Sequence, residues 1–186
     1  MLDSKSNPEP TFAPVLLENR FSTSDVVEIL RDHRWLTGEP SPEQSAWCAR
    51  AAALLGPHSP DRAALASLLS LVFCYDAQEI LSTLDAQIVM SRYAARDVLR
   101  KLANLLLDLD LLTVEHFREI VEALKTQLHI RGRELFHPLR LALSGRSGEG
   151  ELDRVVLLLD AAAAARFSVS VKTARARIIE FCSALD

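Results

Sequence analysis

A chain of 186 residues that is 49% apolar and 25% charged has enough hydrophobic surface for one sizeable core or two small helical subdomains, and the composition of a globular protein. Its net charge of −4 argues against indiscriminate coating of nucleic acid. No apolar run approaches the roughly 18 residues of a membrane span, and no basic start followed by a hydrophobic segment opens the chain, so a cytoplasmic home is the expectation.

Leu and Ala dominate, aromatics are 6% and glycines number six, which favours helix over sheet. The expected fold class is therefore all-α, a helical bundle. Cys48, Cys74 and Cys182 are odd in number, without CxxC spacing or a nearby His in a ligand pattern. Buried thiols are expected, with no disulfide framework and no metal site. Nucleotide loops of the GxxxxGK[ST] or GxGxxG type, HExxH and GxSxG are all missing, so the chain carries no catalytic constellation and implies no cofactor.

In chain order, residues 1–22 carry Pro8, Pro10 and Pro14 without periodicity and read as a flexible arm. Ser22-Thr23-Ser24 caps a first helix with Val26, Val27, Ile29 and Leu30 inward, ending near Trp35. Ser41-Pro42 opens a second helix through Trp47 to Leu55, stopped by Gly56-Pro57. Trp35 and Trp47 are read as core, in preference to base-stacking platforms. Ser59-Pro60-Asp61 starts a third helix with Leu65, Leu68, Leu69, Val72 and Phe73 inward. A break at Tyr75-Asp76 precedes a brief helix through Ile80 and Leu81.

The longest helix is expected from about Asp85 to Leu107, with Val89, Tyr93, Val98, Leu102, Leu105 and Leu106 inward. Arg92, Arg96 and Arg100 then recur every four residues as one basic ridge. It reads either as a solvated face paired with Asp97 and other acids or as a row of guanidiniums along a phosphate backbone. Thr113 caps a helix from Val114 to Leu128. Another runs from Leu152 through the alanines at 161–165. A last one starts near Ser170, with Val171, Ala174, Ile178 and Phe181 inward and Arg175 and Arg177 solvated.

Between these lies Gly132-Arg133-Glu134-Leu135-Phe136-His137-Pro138-Leu139-Arg140-Leu141-Ala142-Leu143-Ser144-Gly145. Pro138 suits a helical first turn, which predicts a very short helix bracketed by the two glycines, with Arg140 projecting from it. The division of the chain is then a helical subdomain over 23–130 and a second over 131–186. The latter holds nine Lys/Arg against seven Asp/Glu, which leaves −6 for the first 130 residues.

This string resembles the G-K-x-L-F-x-P-L-R-x-A-L-T-G signature near the C-terminus of bacterial glutamyl-tRNA synthetases. Gly132, Leu135, Phe136, Pro138, Leu139, Arg140, Ala142, Leu143 and Gly145 match, and Ser144 replaces the threonine. A looser likeness covers Arg62 to Tyr75-Asp76, where Arg62 falls about one place from the family's arginine. Gly148-Glu149-Gly150-Glu151-Leu152 lacks the proline usual at the following turn.

The resemblance implies an anticodon-binding helical cage, non-catalytic without its synthetase domain, that takes the single-stranded loop of a tRNA. Arg131, Arg133, Arg140 and Arg146 are then candidate RNA contacts, with Arg92, Arg96 and Arg100 as a second row. Arg140 has an equal alternative as an internal ion pair. A partner synthetase or other protein is a further possibility, whereas DNA and membranes are not implied. The competing expectation is a free-standing paralogue that kept the scaffold and binds a protein or small molecule.

Overall fold

The structure is a computed structural model that describes residues 18–185, so positions 1–17 of the expected arm lie outside the described residues. Capping side chains place most helix starts. α1 (Thr23–Asp32) opens at Ser22, which accepts from the Asp25 N–H while the Asp25 carboxylate accepts from the Ser22 N–H. α2 (Pro42–Leu55) repeats that box with Ser41 and Gln44. α3 (Arg62–Phe73), α4 (Ala77–Ser82) and α5 (Leu84–Met90) are capped by Asp61, Asp76 and Thr83. α6 (Ala95–Leu107) starts with no side-chain cap, and Thr113 caps α7 (Val114–Leu128). α8 (Arg133–Ser144), α9 (Glu151–Val156), α10 (Leu159–Ala165) and α11 (Ala174–Leu185) complete the chain. The fold is an all-α bundle with no strand among the described residues.

α8 is the hub. It packs on α5, α6, α9 and α11, and Leu135, Leu139, Leu141, Ala142 and Leu143 are fully buried. A second focus is aromatic: Trp35 stacks on Phe73 at 4.8 Å, and Trp47 and Phe167 meet Phe73 edge-on at 5.5 and 5.2 Å. The Trp47 indole donates to the Leu158 carbonyl at 3.0 Å and the Ser168 N–H to the Trp35 carbonyl at 2.9 Å, which ties α2 and the end of α1 to the last third of the chain. Both tryptophans are core residues, as expected.

Several expectations need correction. The helix expected from Asp85 to Leu107 is broken at Ser91–Ala94 into α5 and α6, because α5 packs on α4 and α8 while α6 packs on α7, α8 and α11. The break turns Tyr93 out of its expected inward place to full exposure. Pro138 lies six residues into α8, not in its first turn. Burying Leu135 in phase with Leu139, Ala142 and Leu143 extends the helix back to Arg133, against the ring's clash with the Glu134 carbonyl. The helix expected from Leu152 onward is interrupted at Leu157-Leu158. The last helix starts at Ala174, where the Thr173 hydroxyl accepts from the Ala176 N–H. Cys48 is buried, but Cys74 is exposed.

The largest correction concerns Arg177, expected in solvent and found fully buried. Its Nη1 donates to the Leu71 and Leu143 carbonyls, both at 2.8 Å, and its Nη2 to the Val72 carbonyl at 2.6 Å. These carbonyls end α3 and α8, where helices leave acceptors unpaired and carry partial negative charge. The guanidinium lies 4.5 Å from the Tyr75 ring centroid, and the Tyr75 hydroxyl donates to the Ala142 carbonyl at 2.5 Å. Burial pushes the Arg177 pKa down to about 10 and that of Tyr75 up.

Arg177→Ala should destabilise the fold by about 3 kcal/mol or more in denaturant unfolding, since three buried carbonyls lose their donors together. Arg177→Lys should recover only part, because an ammonium cannot span a planar set of acceptors. A loss below about 1 kcal/mol for the alanine variant would show that the acceptors find other partners.

Candidate nucleic-acid interface

The turn from α7 to α8 needs two unusual backbone conformations in succession. His129 closes α7 in the left-handed region at φ 54°, and Gly132 caps α8 at φ 59°, ψ −138°, a combination that glycine alone adopts without strain. No side chain caps α8; the Gly132 carbonyl accepts from Leu135 and Phe136. Beside this turn opens a groove of about 730 Å³, lined by Glu122, Lys125, Thr126, His129, Arg131, Gly132 and Phe136. Lys125 is paired with Glu122 at 2.7 Å, so Arg131, exposed and without an ion pair among the described residues, supplies the groove's uncompensated charge.

Next to the groove, Arg92 Nη1 donates to His137 Nδ1 at 3.1 Å and reaches the Arg133 carbonyl at 3.5 Å. The break between α5 and α6 makes this possible: Arg92 leaves the line of Arg96 and Arg100 and comes to α8. The His137 pKa is lowered, first by desolvation and then by Arg92, Arg133 and Arg140, with Asp85 opposing them. Three guanidiniums and one carboxylate thus act on this imidazole, in a chain that is acidic overall.

Arg140 is occupied inside the protein. Its Nε and Nη2 donate to the two Asp153 oxygens at 2.7 and 2.8 Å, its Nη1 donates to the Gly148 carbonyl at 2.6 Å, and its guanidinium lies 4.7 Å from the Phe136 ring. It therefore locks the turn after α8 and the start of α9 onto α8. The same turn is fastened to α5 by the Ser147 hydroxyl, which donates to Asp85 at 2.7 Å. Arg146 is exposed and donates to the Ser67 hydroxyl of α3 at 3.2 Å.

Arg96 and Arg100 remain on α6, where they border a separate hollow of about 250 Å³ with Leu99, Ala103, Asn104, Cys182 and Leu185. Arg100 is 3.4 Å from Asp97. The expected single ridge is thus split, with Arg92 beside Arg133 and the other two against α11. Arg62 pairs with Glu28 at 3.2 Å and Asp32 at 2.8 Å, holding the start of α3 to α1. No periodicity or spacing in the sequence marks His137; its one signal is its place inside the glycine-bracketed string.

A titration followed by NMR should find the His137 imidazole ionising below its ordinary 6.5, and Arg92→Ala should raise it by removing a cation. An unchanged His137 pKa in that variant would separate Arg92 from the cluster.

Among the described residues no group of three or more His, Cys, Asp or Glu is placed to hold a metal ion, and no helix is long and apolar enough to cross a membrane. No curated protein and no solved structure matches the chain. The model of one family, described as the anticodon binding domain, does match, over residues 24–166. That span runs from α1 to the end of α10 and includes the groove, the Arg92–Arg133–His137 cluster and the Arg140 lock, and on that match the chain belongs to the anticodon-binding domain family, of the tRNA-synthetase type.

Proposed function

We propose that this protein binds the anticodon loop of a tRNA across the groove at the α7–α8 turn, as the C-terminal part of a glutamyl-tRNA synthetase does, and performs no reaction by itself. The observation that carries this reading is the meeting of Arg92, Arg133 and His137 beside a groove edged by Arg131. Guanidiniums on a rigid helix start hold phosphates, and unpaired bases are then presented to the groove. The 130 to 160 stretch, with its match to the synthetase signature, supports glutamyl over other synthetase types. Arg131, Arg133 and Arg92 are the contacts assigned to RNA. Arg146 is a flanking contact, and Arg96 and Arg100 form a second, separate row. Arg140 is a positioning residue, because its donors are already taken by Asp153 and Gly148. The setting is translation in the cytoplasm, beside a separate synthetase or other protein that supplies catalysis.

A second reading, a retained scaffold for a protein or small-molecule partner, draws on the net charge of −4 and on the internal use of Arg140 and Arg177.

Anisotropy titrations with unfractionated tRNA at several salt concentrations separate the two. Wild type should bind with affinity that falls steeply as salt rises. Arg131→Ala, Arg133→Ala and Arg92→Ala should each weaken binding and flatten the log–log salt slope by about 0.7–0.9. Arg140→Ala should instead lower stability by about 2–3 kcal/mol, through the lost bidentate pair. Binding that is weak, insensitive to salt and equal in wild type and the arginine variants favours the scaffold.

A further inference from the structure

We propose that Tyr93 is a stacking platform for an unpaired base of the bound RNA; the proposal rests on the tRNA-binding reading above. Tyr93 is 100% exposed, although a tyrosine that packs buries one of the largest apolar surfaces of any side chain. Continuous helix would not leave it so. Ala86 and Val89 of α5 are fully buried, and the next position of that stripe is residue 93. The turn at Ser91–Ala94 removes Tyr93 from the stripe and leaves the ring outside.

The residues around the ring match a nucleotide better than a protein surface. Arg92, the preceding residue, is anchored to His137 and to the Arg133 carbonyl, so the exposed ring stands one position along the chain from a cation held in the positive cluster. Arg96, one turn further on, is exposed, and Ile88 on α5 is 50% exposed. A groove that grips single-stranded nucleic acid combines anchored cations with unpacked aromatic rings. Phosphates follow the charge, and bases of any identity stack on the ring. A base in a closed duplex cannot reach it, so Tyr93 confers selectivity for a loop over a stem.

Because the side chain has no packing to lose, Tyr93→Ala should fold as wild type does. It should bind unfractionated tRNA about tenfold to a hundredfold more weakly, with the salt slope unchanged, since the lost contact is not ionic. Binding to a blunt RNA duplex without unpaired bases should not change. Tyr93→Phe should keep the affinity, and Tyr93→Trp should keep it and show indole fluorescence quenched on adding tRNA. Wild-type affinity for Tyr93→Ala, while Arg133→Ala is weakened, overturns the stacking role and leaves the tRNA reading intact. Absence of salt-dependent tRNA binding by wild type overturns both. Self-association of wild type that Tyr93→Ala abolishes, with RNA binding unaffected, also overturns the proposal, by assigning the ring to a second copy of the chain.

Discussion

A guanidinium with no access to water holds the ends of two helices together. Arg177 sits at the start of α11 and donates to carbonyls in the last turns of α3 and of α8, at Leu71, Val72 and Leu143, which lie far apart in the chain. Burying an unpaired cation costs several kcal/mol. Here that cost is offset by acceptors that would themselves be buried without donors, by the Tyr75 ring and by Asp160, whose charge favours the cation. Asp160 is itself buried and accepts from the N–H groups of Leu112 and Ala174, so it fixes both the approach to α7 and the first turn of α11. Arg177 thus fixes the end of α8, the hub, whose start lies at the α7–α8 turn that borders the groove.

Arginines in this protein divide into those that build it and those left over. Arg177 and Arg140 are committed internally, Arg177 to backbone carbonyls and Arg140 to Asp153 and Gly148. Arg62 ties α3 to α1 at a more exposed site. Arg131 then remains on the groove, and Arg92 and Arg133 act on His137 at the start of α8 beside it. Glu122 is taken by Lys125, and Asp85 is engaged by Ser147. A chain with a net charge of −4 can thus carry a positive face, because a field falls off within about 10 Å at ordinary salt and answers to the nearest charges.

The break between α5 and α6 shapes that face. It carries Arg92 to His137 and turns Tyr93 outward in consecutive residues, at the place where the halves of the expected long helix diverge toward different partners. An uninterrupted helix would have kept Arg92 in line with Arg96 and Arg100 and returned the ring to the core.

Local chemistry in the sequence determined the helical class, the starts of α1, α2, α3, α4 and α7, the core placement of both tryptophans and the likeness to anticodon-binding domains. Each follows from near neighbours: a capping side chain three residues before its N–H, a periodic apolar stripe, a string of residues between two glycines. Tertiary structure decided what periodicity cannot. Helical spacing assigns a residue to a face but not to what covers it, so Arg177, expected in solvent, is buried against carbonyls from α3 and α8. The same limit explains why Arg140 is spent on Asp153, why Pro138 is carried inside a helix whose leucines are buried, and why the arginine ridge divides. In each case a contact between distant segments outweighs a local preference, and the free energy of that contact is written in no single stretch of the chain.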